Sequence, residues 1–594
     1  MESMLPKFEW LESAVDEAAA WDLAAALKMP PPISRLMIAR GVGEQKMAEA
    51  FLAPDMKEHF SDPFAFPGMR EAVDRLWSAL REKRDILIFG DFDADGVAAA
   101  AIMSTALRRM GGKADVFLPV RANDGYGLSV AALERCFAER GGPPHLLLTV
   151  DCGVTSVAEV AYLKQLGVEV IVTDHHERGV ELPSADAIVN PRLGAPSEAT
   201  ELCGAGVAFK IAHALVETGK RNGWYKGAPI GGKLLVPAGL ATVTDVVPLT
   251  GENRLLVWGA IKHWRRFAGP GLQALLSRAA QASVSEPDTD TFGYILGPRI
   301  NAAGRMASAM AAYELLTTSD KDRAAELAAH LEGLNGRRRG IEERIVLAAC
   351  RQCGLDKRGA AYDEPAVVVG GEAERAGEDG WHPGVIGIVA SRLCELAGRP
   401  AAVVSFNAEG CGRGSVRVGE GYHALGALKF AEATLDRFGG HERAAGFDVK
   451  PGAFERFKQL FNEACAAQCD GIVPRQTLAV DGWLETEDLS CDFYRAQQRL
   501  APFGHGNPTP RWGLRGVVLK DAKPLGSNGA HLQLAFKRQN RLLPRAVWFR
   551  NTCPVEKLRT HCGLFDVVFE LRENLFGGVG NIEISVVDMA PSRV

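Results

Sequence analysis

Three aspartates occupy alternate positions in one short stretch of this 594-residue chain. Asp91, Asp93 and Asp95 follow the apolar run 86–89 and precede a helix-like run over 97–110. Because alternate residues of an extended backbone point the same way, we expect the three carboxylates to converge on one point. Carboxylate oxygens are the ligands that hard cations prefer, so this stretch predicts a metal site.

Two further apolar runs also end in residues that bind metals. Asp151 ends the first of them, and Asp174, His175 and His176 end the second. With the three aspartates above, this gives five carboxylates and two imidazoles at the ends of three predicted strands. Such a set indicates a binuclear site, in which two ions about 4 Å apart can activate a water for attack on a phosphodiester.

Asp245 is a single acid in the apolar segment 234–249. An unpaired buried carboxylate is costly, so we expect a partner for it, and a metal ion is a good one. Aspartates combined with histidine suit Mn²⁺ or Mg²⁺ better than zinc, which favours sulfur and nitrogen ligands. We therefore expect two divalent cations, Mn²⁺ or Mg²⁺.

Other readings of these residues are less consistent with the sequence. A helix-loop-helix calcium loop needs a glutamate at the twelfth position from Asp91, where the chain has Ile102. Solvated turn acids would not recur after three strands. Two cysteine pairs, Cys350 with Cys353 and Cys465 with Cys469, could form a zinc site, but we expect them to be reduced, buried thiols.

The predicted elements would bring these residues together at one edge of a sheet. Short apolar runs alternate with amphipathic helical patterns, which is typical of parallel β-α-β units. The predicted strands are 85–90, 114–120, 146–151 and 168–174, and the helices between them are 97–110, 130–140 and 156–166. Ligands of such sheets bind at the carboxyl ends of strands, which is where the aspartates lie.

The sequence outside this region predicts further structural elements and domains. Residues 1–60 have the pattern of short helices, 318–350 that of one long connecting helix, and 366–450 that of a second α/β unit. That unit contains Gly412–Arg417, interpreted as a glycine-rich loop suited to an oxyanion, and Gly439–His441, interpreted as the start of a strand. Short strands from residue 477 onward suggest a small barrel of the OB type.

Composition limits the function only locally. The net charge of −5 gives no general sign of nucleic-acid binding. Residues 496–550, however, hold ten basic residues and a single acidic one, interleaved with aromatic residues. These aromatic residues are Phe503, Trp512, Phe536, Trp548 and Phe549. The segment predicts either a single-strand binding surface or a solvated basic face over a core of aromatic rings.

No apolar run approaches the ~20 residues that a membrane span needs, and no secretory signal is visible, so we expect a cytoplasmic protein that does not bind membranes.

Several motifs resemble those of the DHH phosphoesterase superfamily. They are Asp-x-Asp-Ala-Asp-Gly at 91–96, Val-Asp-Cys-Gly at 150–153, Thr-Asp-His-His at 173–176 and Thr-Asp-Val-Val-Pro-Leu at 244–249. Gly-Arg-Gly-Ser-Val-Arg at 412–417 and Gly-Gly-His at 439–441 resemble the associated DHHA1 domain. Three more motifs, at 297–306, 382–387 and 502–508, are similar to the RecJ family of bacterial exonucleases.

This resemblance implies an α/β fold with a parallel-sheet DHH domain, a smaller α/β DHHA1 domain joined to it by a long helix, and a β-barrel domain of the OB type. The implied limits are a helical segment at 1–60, the DHH domain at 61–316, the connector at 317–355, the DHHA1 domain at 356–470 and the OB-type domain at 471–594.

The resemblance also assigns roles to residues. Asp93 and Asp151 would hold one metal with Asp91 nearby, and Asp95, Asp151, His175 and Asp245 would hold the other. His176 would face the scissile phosphate, and Asp174 would orient the histidine pair. The substrate residues implied are Arg121, Arg305, Ser415 and Arg417, which would bind a 5′ phosphate, and His441, which would contact a substrate phosphate.

The implied activity is a 5′→3′ exonuclease that degrades single-stranded DNA to 5′ mononucleotides in recombination and DNA repair. Family resemblance implies single-stranded-DNA-binding protein and a RecQ-type helicase as partners, and we expect a monomer. Two alternatives remain: a hydrolase of short oligoribonucleotides or small phosphoesters, which would lack the C-terminal barrel, and an inactive scaffold, which would lack some of the metal ligands.

Overall fold

The computed structural model describes residues 8–120, 127–228, 230–279, 286–355, 362–375, 378–469, 476–526, 531–549, 555, 558, 563–574 and 581–592. The chain divides into two compact units. Unit one comprises Pro54–Gly340 and Pro502–Pro508, and unit two comprises Met1–Ala53, Ile341–Ala501 and Thr509–Val594.

The N-terminal elements belong to unit two. They are strand β1 (Glu9–Glu12) and helices α1 (Glu17–Leu27), α2 (Pro31–Ala39) and α3 (Gln45–Leu52). The predicted short helices are therefore present, and β1 is an addition that the sequence did not indicate.

Unit one is built on a parallel five-stranded sheet. Its strands are β2 (Ile86–Gly90), β3 (Ala114–Phe117), β4 (Leu146–Val150), β5 (Glu169–Thr173) and β6 (Ala187–Val189), in the order β3-β2-β4-β5-β6. The strand order reverses between β2 and β4, so a crevice opens outside their carboxyl ends, where ligands of open α/β sheets bind. Asp91 follows β2, and Asp151 follows β4.

Helices cover both faces of this sheet. They are α4 (Met69–Arg81), α5 (Ala94–Arg109), α6 (Val130–Arg140), α7 (Val157–Gln165), α8 (Gly204–Arg221), α9 (Gly231–Thr244), α10 (Gly251–Lys262), α11 (Trp264–Phe267), α12 (Pro270–Ala279), α13 (Gly297–Met306) and α14 (Met310–Thr317), with a π-helix at Thr291–Leu296 and 3₁₀ turns at Pro63–Ala65, Pro191–Leu193 and Ser197–Ala199.

Alternate residues of the central strands enter two separate cores. Ile86 and Ile88 pack into one core, and Leu87 and Phe89 into the other. Strands buried on both faces carry continuous apolar runs, which explains why they were recognisable in the sequence. The long helix α15 (Lys321–Cys353) follows, and the boundary between the units falls inside it, after Gly340.

Unit two contains a mixed five-stranded sheet. Its strands are β7 (Val367–Glu372), β10 (Ala401–Phe406), β11 (Gly412–Arg417), β12 (Leu435–Gly440) and β13 (Ala444–Val449), in the order β12-β13-β11-β10-β7. Between β7 and β10 lie the short strands β8 (Glu374–Arg375) and β9 (Glu378–Asp379). The helices are α16 (Ile386–Ala397), α17 (Ala424–Phe430) and α18 (Phe454–Gln468), with a 3₁₀ turn at Glu432–Thr434.

Two predictions about this sheet were wrong. Gly412–Arg417 is strand β11, not a loop, because its glycines make room for rings: a Cβ on Gly414 would lie 2.2 Å from the Phe447 ring. Gly439-Gly440-His441 does not open a strand. Gly440 is the last residue of β12, and with a φ of +146° it begins the turn into β13.

The C-terminal part of unit two is a closed five-stranded barrel. Strands β16 (Trp512–Leu525), β20 (Phe565–Glu573), β21 (Ile582–Pro591), β19 (Ala546–Trp548) and β17 (His531–Arg538) pair in that order, and β17 pairs back with β16. The shorter elements around it are β14 (Thr477–Val480), β15 (Gly482–Trp483), β18 (Arg541–Leu542), α19 (Cys491–Gln498) and a 3₁₀ turn at Thr486–Asp488. The predicted OB-type barrel is confirmed.

The N-terminal strand is attached to this barrel. Strand β1 pairs in parallel with β14, and Trp10 Nε1 donates a hydrogen bond to Asp588 Oδ2 at 2.9 Å. The first strand of the chain therefore packs with its last domain.

Candidate metal centre

The three aspartates after β2 lie at the junction between strand and helix. Asp93 is the N-cap of α5, and its Oδ1 accepts hydrogen bonds from the amides of Asp95 (2.9 Å) and Gly96 (3.1 Å). Asp95 lies in the first helical turn, so the three side chains do not alternate along an extended backbone as predicted. The helix begins early because an aspartate N-cap satisfies its unpaired amides.

Asp95 is held by the start of a second helix. Its two carboxylate oxygens accept hydrogen bonds from the amides of Gly204 (2.6 Å) and Ala205 (2.8 Å), the first residues of α8. Helix N-termini favour negative charge, so these bonds orient the carboxylate. Asn301 Oδ1 similarly accepts a hydrogen bond from the amide of Ala94 at 2.9 Å, which fixes the start of α5.

Asp151 lies between these elements and is almost completely buried. Its φ of +62° is in the left-handed region, which aspartate tolerates better than most residues. Its Oδ1 is buried and accepts no hydrogen bond from any residue that the structure describes, although His175 Nε2 lies 3.2 Å away. An unsatisfied buried carboxylate oxygen is costly, so a cation is the ligand that fits this position.

His175 lies close to three carboxylates. Its Nε2 is 3.2 Å from Asp151 Oδ1, 3.6 Å from Asp245 Oδ2 and 3.7 Å from Asp95 Oδ2. Burial lowers the pKa of His175 below its ordinary value, against the opposing charges of Asp95, Asp174 and Asp93. The neutral imidazole is the form that binds metals.

The described residues form overlapping groups of potential ligands, each with its ligand atoms within 4.8 Å of one another. One group consists of Asp91, Asp93 and Asp151; another consists of Asp95, His175 and Asp245; a third joins Asp151 and His175 with His176. The oxygen-rich donor sets fit Mn²⁺ or Mg²⁺. Since Asp151 belongs to two of these groups and lies 3.2 Å from His175 of the remaining one, its carboxylate would be suited to serve two ions.

The pKa values of the clustered aspartates show that their carboxylates repel one another. Burial raises the pKa of Asp151 and of Asp245 well above their ordinary values, and the surrounding aspartates raise both further. Burial and Asp95 also raise the pKa of Asp93, against its two backbone hydrogen bonds. Positive charge at this position would remove the repulsion, which is the electrostatic signature of a cation site.

Asp174 and His176 form a separate hydrogen-bonded pair. Asp174 Oδ1 lies 2.7 Å from His176 Nδ1 and also accepts from the His175 amide at 2.7 Å. Its Oδ2 accepts from the Val154 amide. Burial opposes both charges and is the largest single influence, but the hydrogen bond and the charge attraction between the two side chains, together with backbone amides around Asp174 and the neighbouring aspartates around His176, outweigh it: the pKa of Asp174 is lowered and that of His176 is raised.

Asp245 caps the C-terminus of α9 and begins a loop with a strained residue. Val246, which follows it, has a φ of +59°, rare for a β-branched side chain, and is exposed. The loop continues to Leu249, whose amide donates to His505 O at 2.7 Å. His505 belongs to Pro502–Pro508, a segment of the C-terminal region that folds into unit one.

Pro502–Pro508 packs tightly against the loop that follows Asp245. A Cβ on Gly504 would lie 2.6 Å from Leu249 Cδ1, and one on Gly506 would lie 2.9 Å from Pro248 Cβ. Arg254 Nη1 donates to Pro502 O at 3.3 Å. The glycines of this motif therefore serve close packing beside a potential metal ligand.

Arg121, one of the predicted substrate residues, lies outside the described residues. The others lie in three places. Arg305 is half-buried near the end of α13 in unit one. Ser415 and Arg417 lie on β11 in unit two, and His441 is exposed in the turn after β12.

Ser415 and Arg417 point to the same side of β11. Arg417 Nη1 donates to Ser415 Oγ (2.9 Å) and to Val416 O (2.8 Å). Gly387, in the first turn of α16, lies close to both: a Cβ there would be 3.3 Å from Arg417 Nη2 and 3.3 Å from Ser415 Oγ. A guanidinium, a hydroxyl and a helix N-terminus form a surface that suits an anion.

The aromatic residues of 496–550 divide between core and surface. Trp512 and Phe536 are fully buried in the barrel, as expected for core residues, while Phe503 and Trp548 are half-buried. Phe549 is exposed, with its ring centroid 5.4 Å from that of His531. Only part of the predicted stacking surface is therefore exposed.

Sequence reasoning missed several supporting residues of the centre. Asn301 was not assigned a role, and the amides of Gly204 and Ala205 carry no side-chain signal. Asn190, whose Nδ2 donates to His176 O at 2.9 Å, was also missed. Gly204 and Gly206, at the start of α8, are a signal that could have suggested the Asp95 contact.

No helix within the described residues has the length and apolar character that crossing a bilayer requires. In the same part of the chain, no cysteine belongs to a cluster of potential metal ligands.

Three parts of the chain match known domain families. Residues 85–229 match the DHH family, N-terminal domain, residues 366–467 match the DHHA1 domain, and residues 480–588 match the RecJ OB domain.

Whole-chain relatives agree with these matches. The chain is 35% identical over 511 residues to the single-stranded-DNA-specific exonuclease RecJ of Escherichia coli, covering 84% of each protein. It is 34% identical over 538 residues to the protein of the same name from Bacillus subtilis, covering 90% of this chain but 65% of that protein.

Solved structures are similar over most of the chain. RecJ of Thermus thermophilus in complex with Mn²⁺ matches 99% of this chain and 80% of its own, with a TM-score of 0.81 and 31% identity. A structure of exonuclease RecJ bound to manganese matches 68% of this chain and 95% of its own, with a TM-score of 0.56 and 35% identity.

Proposed function

This chain belongs to the RecJ family, and we propose that it is a metal-dependent exonuclease that degrades single-stranded DNA. The observation that carries the proposal is the clustering of two ligand groups, from the carboxyl ends of β2, β4 and β5 and from the end of α9, around the buried and unsatisfied Oδ1 of Asp151. The relatives with the same architecture are named as exonucleases specific for single strands, and one is solved with Mn²⁺.

We assign the ligands as two sets that share Asp151. Asp93 and Asp151 hold one cation, with Asp91 beside them; Asp95, Asp151, His175 and Asp245 hold the other. Two ions in such a centre supply an activated water and stabilise the leaving oxygen of a phosphodiester. The repulsion among the buried carboxylates supports this assignment, since bound cations would remove it while the carboxylates stay ionised.

The residues around the ions position them and the substrate. The amides of Gly204 and Ala205 hold the Asp95 carboxylate in one orientation, and burial keeps His175 neutral for ligation. Because Asp174 engages Nδ1 of His176 and raises the pKa of this imidazole, the other ring nitrogen is the one suited to donate to a phosphate oxygen. Asp174 thus acts as a positioning residue.

We assign recognition of the 5′ end, which sets the direction of degradation, to a group of residues that can bind anions. Arg121, Arg305, Ser415 and Arg417 bind the 5′ phosphate of the strand, and His441 contacts a substrate phosphate. The geometry of Ser415, Arg417 and the start of α16 supports this assignment. A held 5′ end specifies 5′→3′ degradation with release of 5′ mononucleotides.

The five domain limits given above are proposed as they stand. The proposed cellular role is recombination and DNA repair in the cytoplasm, by a monomer, with single-stranded-DNA-binding protein and a RecQ-type helicase as partners. An inactive scaffold is disfavoured because every proposed ligand, from Asp91 to Asp245, is present and clustered. A hydrolase of short oligoribonucleotides is disfavoured because the chain has the barrel that such enzymes lack.

The test is degradation of oligonucleotides labelled at the 5′ or the 3′ end, single- or double-stranded, with Mn²⁺ or Mg²⁺. The proposal expects loss of the 5′ label as a mononucleotide from single strands only, with either metal. The matched control is Asp151→Ala, which removes the shared ligand and should abolish cleavage. Activity of this variant within about tenfold of wild type would overturn the metal assignment, since even outer partners of metal ligands contribute 10–100-fold.

A further inference from the structure

Tyr294 is an exposed aromatic residue in an unusual element of unit one. It lies in the π-helix Thr291–Leu296, and 78% of its surface is exposed. Its ring and hydroxyl make no hydrogen bond or ring contact with any residue that the structure describes. Short π-helices are rare and are frequent at functional sites.

The π-helix is a rigid support, although Tyr294 itself is exposed. Phe292 is fully buried, with its ring centroid 5.7 Å from that of Trp264. Thr291 donates to Asp288 Oδ1 from both its amide (2.8 Å) and its hydroxyl (2.7 Å). The Tyr294 side chain therefore projects from a fixed backbone.

This support packs beside the metal centre. A Cβ on Gly297 would lie 2.3 Å from Thr244 Cγ2, and one on Gly293 would lie 3.4 Å from Val243 Cγ1. Val243 and Thr244 form the last turn of α9, which ends at Asp245. The backbone on either side of Tyr294 thus packs against the last turn of α9, directly before Asp245.

The exposed ring of Tyr294 offers a flat apolar face. Its chemistry matches the face of a nucleobase, which stacks on aromatic rings in a way that tolerates any sequence. We propose that Tyr294 stacks on an unpaired base of the strand held at the metal centre. This rests on the proposed function and adds a residue that selects single strands, because bases within a duplex already stack on their neighbours.

The test measures binding, so that it does not depend on cleavage. The protein carries Asp151→Ala to prevent degradation, and its affinity for fluorescent single strands is measured by anisotropy. The strands are identical except that one abasic residue is placed at successive positions from the 5′ end. We expect Tyr294→Ala to weaken binding of the intact strand about tenfold, and we expect Tyr294→Phe to leave it unchanged, because the ring alone stacks.

The abasic series separates stacking from a general structural effect. At one position, the abasic residue should weaken binding about tenfold in the protein that keeps Tyr294. In the Tyr294→Ala variant, the same abasic residue should hardly change binding. Trp21→Ala removes a similarly exposed aromatic residue, in α1 of unit two, and should keep the full abasic effect. Abasic effects that are equal with and without Tyr294 at every position would overturn the inference. Absence of single-strand binding and of single-strand cleavage by the protein with Asp151 intact would instead count against the proposed function.

Discussion

The backbone of Gly204 lies directly against the carboxylate of Asp151. A Cβ at position 204 would come within 2.6 Å of Asp151 Oδ1, closer than a Cβ atom approaches any atom that is not bonded to it. The same residue donates its amide to Asp95 Oδ2 at 2.6 Å. One glycine therefore makes room for one proposed ligand and orients another, so the start of α8 is part of the metal centre.

Gly204→Ala should weaken metal binding while the protein stays folded. The added methyl group displaces the Asp151 carboxylate or the start of α8, and either movement disturbs both proposed cation sites. We expect the Mn²⁺ dissociation constant to rise about 10–100-fold, the range seen when groups that support metal ligands are lost. Calorimetric titration with Mn²⁺ measures this directly.

The matched control for this substitution is Gly231→Ala. Gly231 is also the first residue of a helix in unit one, but its Cβ would have nothing within 4 Å. Its substitution should leave Mn²⁺ affinity unchanged. Equal affinities for Gly204→Ala and wild type would show that the contact with Asp151 is not needed for ligation.

The stability of the metal-free protein should fall as the pH rises. The pKa values of Asp151 and Asp245 are raised in the folded chain, so their contribution is fully present below the ordinary aspartate range and is lost as the pH rises through the raised values. Mn²⁺ binds the ionised carboxylates, so its stabilising effect should grow over the same range. Thermal unfolding at several pH values, with and without Mn²⁺, checks both trends.

Asp151→Asn provides the comparison for the pH experiment. Asparagine tolerates the left-handed backbone at this position but carries no charge. The metal-free variant should therefore be more stable than wild type at high pH and should gain less from Mn²⁺. A metal-free wild type that becomes steadily more stable towards high pH would contradict the proposed repulsion.

Sequence patterns predicted the sheet and most of the ligands for a physical reason. Strands buried on both faces must be continuously apolar, and the polar residues at their ends then mark the edge of the sheet. Asp91, Asp151 and His175 could be recognised in this way. The long helix, predicted over 318–350 and observed at Lys321–Cys353, had a clear helical period.

Long-range backbone packing was not visible in the sequence. Gly412–Arg417 has the composition of a phosphate loop, and only its packing explains why its glycines lie in a strand: Gly414 lies against the Phe447 ring, and Gly412 lies against Val404 and Phe406. The pairing of β1 with β14 joins residues more than 460 positions apart, and no local pattern encodes it. Likewise, nothing near 502–508 indicates that this segment packs beside Asp245.

Gly506→Ala tests whether this segment supports the metal centre. Gly506 has a φ of +73°, and its Cβ would lie 2.9 Å from Pro248. The substitution should lower stability and, by shifting the loop after Asp245, raise the Mn²⁺ dissociation constant severalfold.

The matched control is Gly452→Ala. Gly452 has similar backbone strain, with a φ of +76°, but a Cβ there would have no atom within 4 Å. This substitution should lower stability alone, by roughly 1–3 kcal/mol. Parallel effects of both substitutions on Mn²⁺ affinity would contradict a supporting role.

Two phenylalanines of the barrel should have different effects on DNA binding. Phe549 is exposed, and its loss should weaken binding of a long single strand by about 1–3 kcal/mol if a base stacks on it. Phe536 is buried, and Phe536→Ala should instead lower the free energy of unfolding by about 3–5 kcal/mol. Anisotropy and thermal unfolding on both variants separate the effects. An unchanged affinity for Phe549→Ala would mean that the basic segment is a solvated face.

The last prediction concerns the 5′ end of the strand. Arg417 is held beside Ser415 by a 2.9 Å hydrogen bond, next to the start of α16, where a phosphate would receive charge-assisted bonds. Arg417→Ala should remove most of the preference for 5′-phosphorylated over 5′-hydroxyl strands, a loss of about 1.5–3 kcal/mol. The measurement is the ratio of initial rates on the two substrates. The matched control is Arg413→Ala, on the same side of β11, because Arg413 lies near Asp448 (3.6 Å). This control should keep the wild-type ratio, and Mn²⁺ affinity should be unchanged in both variants. If Arg417→Ala also keeps the ratio, the arginine supports the strand and the 5′ phosphate is bound elsewhere.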